Sequence, residues 1–190
     1  MSKDISINEF YSGFCEEIAL AQDVETYGWE PQDFFTAVML GYLEEADEIE
    51  DPIICPFRGY GLQLNAYHIS ESYDVVDIFV SVYKESSVLS SISRTDIDAA
   101  VKRGIQLYRR ATSDLLYTAF EKDSDTYEFA ITLHNEKDKI KKVRVIALTN
   151  GTVKTIPFEK IDLAGVEVSF SVWDVDRLYR CTTSGKMRET

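Results

Sequence analysis

Two apolar runs joined by a short polar link constrain this chain more than any other feature. The runs are Gly61-Leu-Gln-Leu-Asn-Ala-Tyr-His-Ile69 and Val75-Val-Asp-Ile-Phe-Val-Ser-Val-Tyr83, with Ser70-Glu-Ser-Tyr-Asp74 between them. Their strand-like patterning and the polar link predict a β-hairpin. Both runs are largely apolar, which suits the middle of a covered sheet rather than an edge. The rest of the chain then has to supply the covering helices and the further strands.

Helical periodicity precedes the hairpin. Phe10, Phe14, Ile18 and Ala21 recur at helical spacing over residues 8–21, with Ser6 and Glu9 as a capping box. A second helix starts at Trp29-Glu30-Pro31, with Pro31 in its first turn and Phe35, Val38, Tyr42 and Ala46 as its inner stripe. Its end runs into Glu44, Glu45, Asp47, Glu48, Glu50 and Asp51. Acidic side chains at a helix C-terminus oppose the macrodipole, so the helix is expected to fray after Ala46.

After the hairpin, Ser86–Ser93 reads as a loop. Thr95 then caps a helix, with Asp98 at the box position and Ile97, Val101, Ile105 and Tyr108 facing inward. Lys102, Arg103, Arg109 and Arg110 fall on its other side, and the helix is expected to run on through Leu115, Leu116, Ala119 and Phe120. Another helix follows Ser124, with Tyr127, Ala130, Ile131 and His134 on one face. Residues 141–149 alternate cleanly as a strand, closed by Asn150-Gly151. Residues 152–164 make a connection with one short element, and Val166–Val172 is a last strand. Trp173–Arg180 reads as a short helix and Thr182–Thr190 as loose chain. The order predicts an α/β domain over residues 1–190, a mixed β-sheet flanked by helices, with an acidic helical portion (1–51) packed on one side of an α/β core (52–190).

Composition sharpens this. Hydrophobic residues make up 45% of 190, enough for a sizeable core. No window of 18 apolar residues exists, so no membrane partner is expected. Three scattered cysteines and an N-terminus without an apolar run fit a reducing cytoplasm. Residues 1–51 hold fourteen acidic side chains and one basic one, Lys3, which is the entire net charge of −13. That face repels a phosphate backbone, so any nucleic acid has to meet the remainder of the chain.

Phosphate-loop, dinucleotide, nucleophile-elbow and zinc-protease motifs are all missing, and His68 and His134 read as structural or exposed. What remains is carboxylates near strands. Metal-dependent nucleases hold Mg²⁺ with two or three carboxylates and set a lysine by the attacking water. Here the second hairpin strand ends in Val82-Tyr83-Lys84, and Val82 cannot bind a metal. Asp77 is an odd number of residues from Lys84, so a regular strand points the two to opposite faces.

Three segments carry a family resemblance. RGYGLQLNAYHISESYDVVDIFVSVYK (58–84), KIKKVRVIALTNG (139–151) and VSFSVWDVDRLYR (168–180), with the early helix PQDFFTAVMLGYLEEADEIED, resemble the N-terminal domain of abortive-infection phage-resistance (AIPR) proteins. The resemblance implies a restriction-endonuclease-like fold of the PD-(D/E)xK type, a bacterial phage-defence role and a longer protein of which this chain is a fragment. Nuclease-like members resemble Ile-Asp-Ala-Phe on the first hairpin strand and Gln-x-Lys-Tyr on the second. Leu64-Asn65-Ala66-Tyr67 matches the first, with Asn65 in the metal-binding position. On the second strand Ser81 stands for the glutamine and Tyr83 for the lysine. All three depart from the active pattern, which implies a degenerate module that senses, docks or dimerises for an absent C-terminal region, without metal or cofactor. The alternative is a Mg²⁺- or Mn²⁺-dependent nuclease with a rearranged site. It would use Glu44 or Glu45, Asp77 and Lys84, with Lys102, Arg103, Arg109 and Arg110 on the nucleic-acid backbone. A protein partner on the acidic helices and a homodimer stay open beside these.

Overall fold

Strands β2 (Leu62–Ile69) and β3 (Val75–Val82) pair antiparallel across the Ser70–Asp74 turn. Two serines tie that turn: Ser70 and Ser72 donate to Asp74 Oδ1 at 2.7 and 2.6 Å, which holds the Asp74 carboxyl below its ordinary value. The computed structural model describes residues 6–23, 28–154 and 158–188, with side chains up to residue 184. Along these run α1 (Ile7–Gln22), α2 (Pro31–Glu45), β1 (Ile53–Gly59), β2, β3 and α3 (Arg94–Ser113). A 3-10 turn (Leu116–Ala119), α4 (Asp125–Asn135), β4 (Lys142–Thr149), β5 (Ile161–Leu163), β6 (Val166–Trp173) and α5 (Val175–Arg188) complete the order. No helix among the described residues is long and apolar enough to cross a membrane.

The six strands form one mixed sheet in the order β1-β2-β3-β4-β6-β5. Strands β3, β4 and β6 are parallel, and the flanking pairs are antiparallel. The strands are apolar because both faces are covered. Val76, Ile78, Val80, Val143, Val145 and Ala147 pack under α3 and α4. Phe79, Ile146, Leu148 and Trp173 pack under α1, α2 and α5. The acidic helices α1 and α2 therefore share one face of the sheet with α5. Gly104 lets α3 lie close, since a Cβ there would come within 3.0 Å of Val80 Cγ1.

Several local expectations need correction. Strand β1 was not expected. Pro56 and a register shift between Ile54 and Phe57 break its alternation. The cap of α3 is Ser93, which accepts from Asp96 N at 3.2 Å, and not Thr95. Helix α3 also stops at Ser113, where Asp114 turns extended, so Leu116 and Ala119 belong to the separate 3-10 turn. The buried line of α2 is Phe35, Met39 and Leu43, rotated from the expected stripe because Thr36 and Leu40 also face the sheet. In α4 the buried residues are Phe129, Ala130 and Leu133, with His134 set against Tyr117 at the edge. Trp173 ends β6, and α5 runs on through the segment expected to be loose as far as Arg188; residues 189–190 lie outside the described chain. At the start of α5, Asp174 accepts from Arg177 N at 2.8 Å, and the Arg177 guanidinium lies 3.7 Å from the Trp173 ring centroid.

Candidate functional site

The β2–β3 ladder stops before the strands do. Its register ends at Ala66–Phe79. Strand β2 also changes face there, since Leu62 and Leu64 lie in the core under α3 while Ala66 lies in the core under α2. Residues of the same parity on opposite faces mean that the alternation slips at Asn65.

Side chains fill the resulting gap. Ser81 N–H donates to Asn65 Oδ1 at 2.8 Å, and Gln63 Nε2 donates to the Ser81 carbonyl at 2.9 Å. Gln63 Nε2 also donates to Asn65 Oδ1 at 2.8 Å. Two amide side chains thus stand in for the missing backbone partner of Ser81. All three residues are buried, so these bonds satisfy groups that water does not reach. Gln63 Oε1 accepts from Arg103 Nε at 3.0 Å, which carries the network to α3. On the other side the Ser81 and Thr36 hydroxyls meet at 2.7 Å. Thr36 spends its proton on the Gln32 carbonyl at 2.9 Å, which leaves Ser81 as the donor.

Outside the network lies an open cleft of about 450 Å³, lined by Gln32, Arg58, Gln63, Ser81, Tyr83, Lys84, Asp96 and Arg103 among others. Tyr83 stacks on Phe35 with ring centroids 5.2 Å apart. Burial and then the Glu85 charge push its phenol up, so it stays neutral. Lys84 sends its ammonium to Asp96 of α3 at 3.3 Å, while its backbone is held by the Asn150 amide. Burial, and next the Arg58 charge, pull the Arg103 guanidinium down from its ordinary value.

The other residues singled out from sequence do not converge. Asp77 is buried and takes two bonds from Arg144, one of them Nη2 to Oδ2 at 2.8 Å. It shares the α2-side face with Phe79 and Ser81, whereas Lys84 reaches α3. Glu44 and Glu45 are exposed in the last turn of α2 and make no bond to Asp77 or Lys84. Of the four α3 basic residues singled out from sequence, Arg103 alone lines the cleft. Lys102 and Arg109 are exposed, and Arg110 pairs with Asp114 at 3.5 Å.

Among the described residues no three His, Cys, Asp or Glu side chains gather as a metal would require. The donor set at the gap does not fit Mg²⁺ either. Asn65 is neutral, its Oδ1 already accepts two hydrogen bonds, and the nearest charges are mostly cations. Sequence reasoning did not mark Gln63, Thr36, Arg58 or Asp96. A signal existed for Gln63, because it and Asn65 are polar residues two apart in an otherwise apolar run.

A family model described as the abortive infection phage resistance protein N-terminal domain matches residues 35–180. The chain belongs to this family. The AIPR N-terminal domain so matched includes the hairpin, the divergence, the cleft apart from Gln32 and the start of α5, and leaves α1 outside. No curated protein and no solved structure matches the chain.

Proposed function

We propose that this AIPR N-terminal domain is the nuclease-like module of a bacterial phage-defence protein, and that it works by binding rather than by hydrolysis. In this reading the fold is restriction-endonuclease-like, and the module senses, docks or dimerises in the cytoplasm for the C-terminal region of a longer protein. The mixed sheet with its central hairpin, covered by helices on both faces, supports the fold assignment. The observation that carries the loss of chemistry is the state of Asn65. A metal-binding acid at this position would hold a cation through a free carboxylate oxygen. Asn65 instead spends its Oδ1 on Ser81 N–H and on Gln63. No lysine replaces Tyr83, and Lys84 is turned to Asp96. Neither the metal nor the base-activating cation has a place to act.

The test is cleavage of plasmid DNA and of RNA by the purified chain in Mg²⁺ and in Mn²⁺. No metal-dependent product is expected. Cleavage that disappears in Glu44→Gln or Lys84→Ala, both exposed and safe for folding, would overturn the reading.

A further inference from the structure

The cations at the strand divergence are poorly matched by acids. Lys84 is paired with Asp96 at 3.3 Å. The Nε of Arg103 goes to a neutral partner, Gln63, at 3.0 Å. Arg58 is exposed, and among the described residues its side chain makes no hydrogen bond or ion pair. Register brings the two arginines together: Arg58 of β1 pairs with Gln63 of β2, and Gln63 in turn holds Arg103 of α3. Their proximity is unfavourable, since the Arg58 charge adds to burial in lowering Arg103. Three cations and one acid thus line one open cleft of about 450 Å³, in a chain whose net charge is −13. The acidic run of α2 starts at Glu44, at the far end of that helix from Gln32, which lines the cleft.

We infer that this cleft binds a phosphoryl group, gripped by the Arg58 and Arg103 guanidinium groups with Lys84 as the third cation. Guanidinium forks match phosphate oxygens two at a time, and a shared anion removes the repulsion between the arginines. Gln63 fixes the Nε edge of Arg103 and so leaves its terminal nitrogens for the ligand. The inference rests on the reading of this domain as a binding module and gives that module a ligand class. The group is either a terminal phosphate, on a nucleotide or a nucleic-acid end, or a phosphodiester of a strand backbone.

The test is calorimetric titration with pyrophosphate, and fluorescence anisotropy with single-stranded oligonucleotides bearing a 5′-phosphate or a 5′-hydroxyl, all without divalent metal. Saturable binding is expected. Arg58→Ala and Arg103→Ala should each weaken it about tenfold, the loss of one charge-assisted contact. Arg103→Lys should recover part of the loss, and the exposed Lys122→Ala should bind as the unaltered chain does. Preference for the 5′-phosphate would identify a terminal phosphate, and equal binding of both oligonucleotides a backbone phosphate. No saturable binding, or unchanged affinity in Arg58→Ala, would overturn the inference and leave the non-hydrolytic reading intact. Metal-dependent cleavage would do the reverse.

Discussion

Asn65→Ala is expected to destabilise the domain by about 2–4 kcal/mol, a fall in melting temperature of roughly 5–15 °C for a chain of this size. The reason is the double duty of one oxygen. Asn65 Oδ1 is the acceptor for both Ser81 N–H and Gln63 Nε2. Asn65 is buried, so the alanine variant strands two donors where water cannot replace the acceptor, and it also leaves a small cavity. Asn65→Asp keeps an acceptor in the same place and is expected to lose less, although it buries a charge. Without a second acid or a lysine at Tyr83, that variant is still expected to cleave nothing. Urea denaturation of both variants reads the comparison directly. An alanine variant within about 0.5 kcal/mol of the unaltered chain would mean that the side chains do not carry the ladder across the gap.

Phe35→Ala is expected to cost about 3–5 kcal/mol, the range for deleting a fully buried aromatic ring. Phe35 is 0% exposed. It meets Phe14 edge-on at 6.0 Å and stacks on Tyr83 at 5.2 Å, so a single ring joins α1, α2 and the chain just past β3. The consequence for the site is specific, because the next residue, Thr36, holds the Ser81 hydroxyl. Hydrogen exchange should therefore quicken more in α1 and α2 than in α3 and α4, which pack on the opposite face. A uniform increase across both layers, or a cost below about 1 kcal/mol, would contradict this role for Phe35.

Much of the fold was legible because it rests on local pattern. The hairpin, β4, β6, the first two helices and α4 announce themselves by period or by caps such as Ser6 and Ser124, both of which accept from the first turn of their helices. Strand β1 was hidden because Pro56 and a register shift disrupt its alternation, and its pairing with β2 is decided by the partner strand. The end of α3 was hidden for the opposite reason. Leu115, Leu116, Ala119 and Phe120 continue an apolar pattern, yet the chain leaves the helix at Asp114 and packs Leu116 from a 3-10 turn instead.

The site was legible only in part. Asn65, Ser81 and Tyr83 stand out from sequence by resemblance, and they lie at the divergence of β2 and β3. The partners that complete the site come from elsewhere: Thr36 from α2, Arg58 from β1 and Arg103 from α3. Periodicity marks Arg103 as one of four similar basic residues on the outward side of α3. What separates it from Lys102, Arg109 and Arg110 is the position of Gln63, a contact across 40 residues that no local pattern encodes.

On the proposed reading, amides stand where a metal-binding acid would sit. Anomalous diffraction from a crystal of this chain soaked in Mn²⁺ tests it most directly. No anomalous peak is expected between Asn65, Ser81 and Thr36 at a metal concentration that loads carboxylate sites. A peak there, with protein oxygens at roughly 2.0–2.3 Å, would contradict it and return the domain to metal-dependent chemistry.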